Sequence, residues 1–192
     1  MDSLIRTIRH FITLRDEEEA VVTGLFMPVH VNAGEFFLEE GKICRSAAFI
    51  EKGLMRYFMT QDGNEKTIYF SSEGEFVCNY SSFLPAKPSD VSIQALEETV
   101  LYVISYDNLQ RLYSGIGMGE RFGRMAIEQV FVDSIEQLRS LYTDTPTQRY
   151  QHFLEAYPNL VQRIPQYYIA SYVGIKPQSL SRIRKRIAAG PR

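Results

Sequence analysis

Two cysteines and three histidines are all that this 192-residue chain offers to thiol or imidazole chemistry, and the shortage excludes much. Cys44 and Cys78 build neither a disulfide framework nor a four-thiolate metal site. His10, His30 and His152 are scattered, and only His30 falls in the strand-rich region; a β-roll metal enzyme of the cupin kind places two histidines close together on one strand. Without histidine neighbours in sequence, the two cysteines read as small apolar residues. No Walker loop, nucleophile elbow or zinc-protease motif is present. No apolar stretch approaches the ~18 residues that span a bilayer, and the charged N-terminus lacks the apolar core of a secretory signal. The expectation is a cytoplasmic protein that is no enzyme and has no metal, cofactor or membrane partner. A cupin-like metal enzyme is the alternative from a different class.

What is present is ordinary in amount and uneven in placement. Hydrophobic residues are 45% and charged residues 23%, as in globular proteins. The formal charge of −2 conceals a split. Residues 143–192 hold eight basic side chains (Arg149, Arg163, Lys176, Arg182, Arg184, Lys185, Arg186, Arg192) against Asp144 and Glu155, a local charge of +6 that leaves −8 on the rest. A basic end on an acidic body suits a polyanion partner. Charge alone suits the solvated face of a terminal helix equally well.

The N-terminal segment reads as short helices, with Thr13 capping the run from Leu14 to Phe26 and Asp16 as its capping-box partner. From Val29 to Ile104 short runs of Phe, Tyr, Val and Ile are punctuated by Gly34, Gly41, Gly53, Gly63 and Gly74. Asp62-Gly63 between Leu54–Thr60 and Lys66–Phe70 predicts a hairpin. This is an antiparallel all-β region. A proline-free helix over 118–142 follows, with a coiled-coil-like seam of Ile127, Phe131 (or Val130), Ser134, Leu138 and Leu141, and a second stripe of Phe122, Met125, Val132 and Ile135. Apolar on two sides, it needs more than one partner; the expectation is a second copy of the chain together with the β-domain, and the alternative is a single helix buried within its own monomer. Thr143 to Pro146 forms a hinge, with Thr145 as N-cap, Pro146 first in the helix and Gln148 closing the capping box.

The most informative stretch runs from Ile164 to Arg186. Ile169, Ala170 and Val173 give one helix a buried stripe, and Gly174 ends it in a tight turn. Ile175 plugs the angle, Pro177 opens the next helix, and Leu180, Ile183 and Ile187 are expected to face inward. Gln178, Ser179, Arg182 and Lys185 are then left outward. That spacing predicts a helix-turn-helix whose second helix lies in the major groove of double-stranded DNA. Arg reads guanine bidentately, Gln pairs with adenine and Ser adapts to either. Lys176, Arg184 and Arg186 are expected on phosphates, which position without specifying.

These features together resemble the Crp/Fnr family of bacterial regulators across nearly the whole chain. The segments Ala33–Gly41 and Phe49–Gly53 match the turns of that family's β-roll; Ile169–Ile175 and Leu180–Ile183 match its helix-turn-helix. The resemblance implies an α+β fold: a cyclic-nucleotide-binding-like sensor over 1–115 with N-terminal helices, a dimerisation helix over 116–142, and a DNA-binding domain over 143–192. It puts Arg182 where the family has its base-reading arginine, and Gln178 where a glutamate is common. The chain ends soon after the recognition helix, without residues for the usual β-hairpin wing, and so is similar to a short wingless subgroup known from Bacteroidetes.

The resemblance also locates a phosphate cassette, and there this chain departs. Cys78 and Asn79 stand where Gly-Glu holds the ribose, and Pro88-Ser89 where Arg-Ser holds the phosphate. A buried phosphate needs a bidentate cation. Cyclic AMP is therefore not expected; an unidentified small-molecule effector, or none, is. Cys78, Asn79, Tyr80, Ser89 and Ser134 would line such a pocket. The family's iron–sulfur version needs four cysteine ligands and is excluded by count. The haem version fits the count, but the three histidines have no supporting context. A ligand-sensing module without DNA binding is a third reading, against which the basic cluster and Arg182 speak.

Overall fold

A computed structural model describes residues 1–189; Arg192, one of the eight basic residues counted above, lies outside them. The chain divides into two units. One comprises Met1–Met59 and Tyr69–Val130, the other Thr60–Ile68 and the chain from Phe131 onward.

The first unit opens with helices α1 (Asp2–Phe11) and α2 (Asp16–Leu25) and continues into strands β1 (Met27–Val31), β2 (Phe36–Leu38), β3 (Ser46–Lys52), β4 (Leu54–Gln61), β5 (Asn64–Ser72) and β6 (Phe76–Val77). A single-turn helix α3 (Tyr80–Phe83), strands β7 (Ser92–Ala95) and β8 (Thr99–Ser105), and helix α4 (Tyr106–Gly115) follow. The strands form two four-stranded sheets, ordered β1-β8-β3-β6 and β2-β7-β4-β5, and the pairings across them are antiparallel. This is the expected β-roll within an α+β fold. Phe49, Ile50, Leu54, Met55, Phe70, Ile93 and Leu101 are fully buried. Four consecutive residues of β3, Ala47 to Ile50, are buried, because α1 covers that strand with Leu4, Ile5 and Ile8. Asp62 (φ 51°) and Gly63 (φ 73°) both take positive φ, the type I′ geometry whose twist matches two paired strands.

The cap of α2 differs from the sequence expectation. The N-cap is Arg15, not Thr13, and the reciprocal bond comes from Glu18, whose carboxylate accepts the Arg15 N–H at 2.9 Å. Glu18 is buried, and its other oxygen accepts the Gly117 N–H at 2.7 Å, tying α2 to the segment after α4. The Arg15 side chain, then the Gly117 and Arg15 amides, hold its carboxyl down to about 2. A depressed folded-state pKa stabilises above the unfolded carboxylate range, and the contribution is lost as pH falls toward the folded value. Glu18→Gln is therefore expected to lower urea stability at pH 7, with the gap to the parent closing between about pH 4.5 and 2. A gap independent of pH would contradict the role given to the ionised carboxylate.

Helix α5 (Gly119–Thr143) begins in the first unit. There Phe122 is buried against Phe11 and Phe76, with ring centroids 5.9 and 5.7 Å apart. Farther along, Val130, Phe131, Val132, Ile135, Leu138 and Leu141 are exposed, Phe131 at 64%. The second unit adds α6 (Pro146–Ala156), α7 (Gln166–Val173) and α8 (Pro177–Ala188). Thr145 caps α6, and Gln148 closes the capping box as expected. The aromatic rings of Tyr150, Phe153, Tyr157 and Tyr172 form the core here. The tip of the β4–β5 hairpin belongs to this unit: Thr67 N–H donates to Ser171 Oγ at 2.9 Å, and Gln137 donates to the Ile68 carbonyl at 2.7 Å. No described helix is long and apolar enough to cross a membrane.

Candidate nucleic-acid interface and sensor site

Helix α7 ends where Gly174 adopts φ 74° and ψ 37°. Its N–H donates to the Ser171 carbonyl at 3.1 Å, and the Ile175 N–H reaches back to Ala170 at 2.9 Å. This is a Schellman closure, and only a residue tolerant of left-handed backbone closes it without strain. One carbonyl of the last turn, that of Val173, accepts from Arg149 Nε at 2.7 Å; Arg149 Nη1 donates to the Asp144 carbonyl at 2.7 Å. Arg149 was counted with the polyanion-facing charge, but it is a brace between the turn and the chain before α6. Asp144 is held below the usual carboxylate range by Ser140 (2.6 Å), Thr143 (2.9 Å) and His152 (3.0 Å).

Pro177 opens α8 at its first position, and Leu180 and Ile183 are buried with Ile169, Ala170 and Val173. Ile187 is not inward as expected: it lies in the last turn of α8 and is 38% exposed. Gln178, Arg182 and Lys185 are exposed and share one face at helical spacing. Ser179 is half-buried rather than outward, and its Oγ accepts from Arg182 Nη2 at 3.3 Å. Lys176 and Arg184 are exposed at the flanks, while Arg186 donates to Thr147 Oγ1 on α6 at 2.6 Å.

In the first unit, the segment aligned with the phosphate cassette satisfies its own polar groups. Asn79 caps α3 by accepting from Ser81, and its amide donates to Ser89 Oγ at 2.7 Å. Ser89 Oγ in turn donates to the Val91 carbonyl at 2.6 Å, and its backbone pairs with Gly41 and Lys42. Ser82 Oγ accepts the Cys44 N–H at 2.9 Å and donates to the Lys87 carbonyl. Cys78 stands beside Cys44 and near Tyr80, Tyr57 and Tyr113. Burial raises the pKa of all three tyrosines, so each stays neutral. Cys78, Asn79, Tyr80 and Ser89 thus lie in one unit, whereas Ser134 is on the exposed surface of α5 in the other. Sequence reasoning missed the closeness of the two thiols, which are far apart along the chain. Among the described residues no group of three or more His, Cys, Asp or Glu side chains is placed to hold a metal ion.

The sequence model of the cyclic nucleotide-binding domain family matches residues 28–115, the strands and α4. No curated protein matches the chain. Among solved structures, FixK2 from Bradyrhizobium japonicum is 14% identical, with a TM-score of 0.74 and 85% of each chain covered. CLP from Xanthomonas campestris, a c-di-GMP responsive global regulator, is 16% identical with a TM-score of 0.70, covering 91% of this chain and 92% of its own. A protein assigned to the Crp/Fnr family of transcriptional regulators, from Eubacterium rectale, is 16% identical with a TM-score of 0.67, covering 92% of this chain and 84% of its own. At such identities the likeness shows the fold, which is that of Crp/Fnr transcription regulators carrying a cyclic nucleotide-binding domain.

Proposed function

We propose that this chain is a cytoplasmic, dimeric, sequence-specific DNA-binding transcription regulator without catalytic activity, whose sensor no longer takes cyclic AMP. One observation carries the reading. A two-helix unit closed at Gly174 buries one face of α8 and exposes Gln178, Arg182 and Lys185 on the other, a guanidinium and an amide where a major groove presents guanine and adenine edges. Ser179 aims Arg182 by accepting its hydrogen bond. Lys176 and Arg184 flank the face at positions suited to phosphates, with Arg186 shared between phosphate and Thr147.

The sensor reading rests on what the cassette does with its side chains. Asn79 and Ser89 hydrogen-bond each other, and neither aligned pair of residues supplies an arginine for a buried phosphate. The Xanthomonas regulator responds to c-di-GMP, so a ligand panel includes that nucleotide beside cyclic AMP.

Selection of bound duplexes from a random pool tests the central part. Recovery of a two-fold symmetric site with half-sites about one helical turn apart is the expected result; recovery of no shared sequence would overturn it. On the selected site Arg182→Ala is expected to cost about 1–3 kcal/mol and to relax preference at a single base pair of each half-site. An equal loss on scrambled duplex would make Arg182 a phosphate contact.

A further inference from the structure

The two cysteines are the strongest feature that the regulator reading leaves unused. Cys44 lies two residues before β3 and Cys78 directly after β6; those strands pair, with Ala48 opposite Val77. The backbone around Cys44 is held on both sides: its N–H donates to Ser82 Oγ, and the preceding residue Ile43 bridges Pro88. The Cys44 sulfur contacts the Ser46 carbonyl at 3.3 Å, takes the Asn79 N–H and shares a hydrogen bond with the Cys78 thiol. Cys44 is buried, while Cys78 keeps part of its surface in solvent.

We propose that Cys44 and Cys78 form a reversible dithiol–disulfide couple in the sensor domain, oxidised by a hydroperoxide. The pairing of β3 with β6 and the hydrogen bond between the two thiols favour this over two separate core thiols, because residues distant in sequence meet there. Charge agrees with the pairing. The hydrogen bond from Cys78 holds the Cys44 thiol below its ordinary range despite burial, and the same contact pushes Cys78 up. The pair therefore gives up one proton more readily than a lone buried thiol and shares the other, and in the proposed couple the thiolate form of Cys44 is the nucleophile.

The chemistry balances in two steps. The Cys44 thiolate attacks one oxygen of hydrogen peroxide: an S–O bond forms, the O–O bond breaks, and hydroxide leaves. The Cys78 sulfur then displaces the hydroxyl of the Cys44 sulfenic acid: the S–S bond forms, the S–O bond breaks, and water departs with the proton of Cys78. Two thiols lose two electrons and the peroxide becomes two waters. The product ties the start of β3 to the residue before the α3 cap, and a dithiol reductant reverses it.

The test uses the full chain, independently of DNA. After stoichiometric hydrogen peroxide under native conditions, the monomer mass is expected to fall by about 2 Da. Both cysteines should then resist alkylation in denaturant until dithiothreitol is added. Disulfide formation should run at least tenfold faster in the native chain than in strong urea, where the strands no longer bring the thiols together. Cys78→Ala should lose the mass decrease and instead gain oxygen at Cys44 or stay unchanged. A gain of oxygen in the parent, free alkylation of both thiols after peroxide, a disulfide-linked dimer, or equal rates in urea and buffer would each overturn the proposal.

Discussion

Phe131→Glu together with Leu138→Glu is expected to convert the protein into a monomer that binds its operator about 10²–10⁴-fold more weakly. Both positions belong to the α5 seam that begins at Ile127, and both are exposed in the single chain, at 64% and 50%. A helix with this much apolar surface in water is stable when a second surface covers it, and three-and-four spacing suits an identical helix. Completing the burial of side chains that are already partly covered contributes about 1 kcal/mol each, and in the proposed dimer a two-fold axis would double every contact. A glutamate at each position reverses the sign, because four carboxylates would then be drawn out of water around one axis. The loss on DNA follows from geometry rather than from contact. Two linked recognition helices make the second half-site an intramolecular encounter, and a monomer forfeits that gain. Sedimentation measures the oligomeric state and anisotropy the affinity. Since both side chains already face solvent, the circular dichroism of the variant should match that of the parent. A variant that still sediments as a dimer would place the interface elsewhere.

Gly53→Ala should be the most damaging single methyl group in the β-roll. Gly53 turns the chain from β3 into β4 at φ 115°, a backbone region that L-residues rarely enter. A Cβ there would lie 2.3 Å from Thr99 Oγ1 and 2.7 Å from the Thr99 Cα. Thr99 cannot yield, since it is buried and its hydroxyl donates to the Glu97 carbonyl at 2.9 Å. Strain of about 1–3 kcal/mol adds to overpacking of similar size, a large share of the ~5–15 kcal/mol that holds a domain folded. Gly34→Ala separates the two contributions. Its φ of 86° is also left-handed, but no atom stands within 4 Å of the added carbon, so it should lose only the strain. Thermal melts of the two variants should therefore differ clearly, with Gly53→Ala lower; coincident melts would show that the Thr99 contact relaxes at little cost.

How much of the fold and of the interface is legible in the sequence depends on how local each signal is. The Asp62-Gly63 hairpin, the Thr145–Gln148 cap and the Gly174 turn each depend on a few adjacent residues, and each is found where the pattern puts it. The cap at Thr13 failed because the better partner, Glu18, is chosen by Gly117, ninety-nine residues away. Arg149 contributes to a charge count but works inside the fold, where it satisfies the Val173 carbonyl; composition cannot tell a solvated guanidinium from a brace. Ile187 has the right period, yet periodicity does not say whether anything packs against the last turn of a helix. The cysteines read as small apolar residues in the sequence because their meeting depends on the pairing of β3 with β6. In the cassette, the departures at 78, 79 and 88 are visible in the sequence, but not that Asn79 spends its amide on Ser89.

Central to the proposed function is whether the 178–182–185 face reads base sequence. Anisotropy titrations at one fixed salt concentration, with a duplex recovered by selection and a scrambled duplex of equal length, measure this directly. The dimer is predicted to prefer the selected duplex by about 10³-fold or more; equal affinity for the two, or no binding to either, would contradict it.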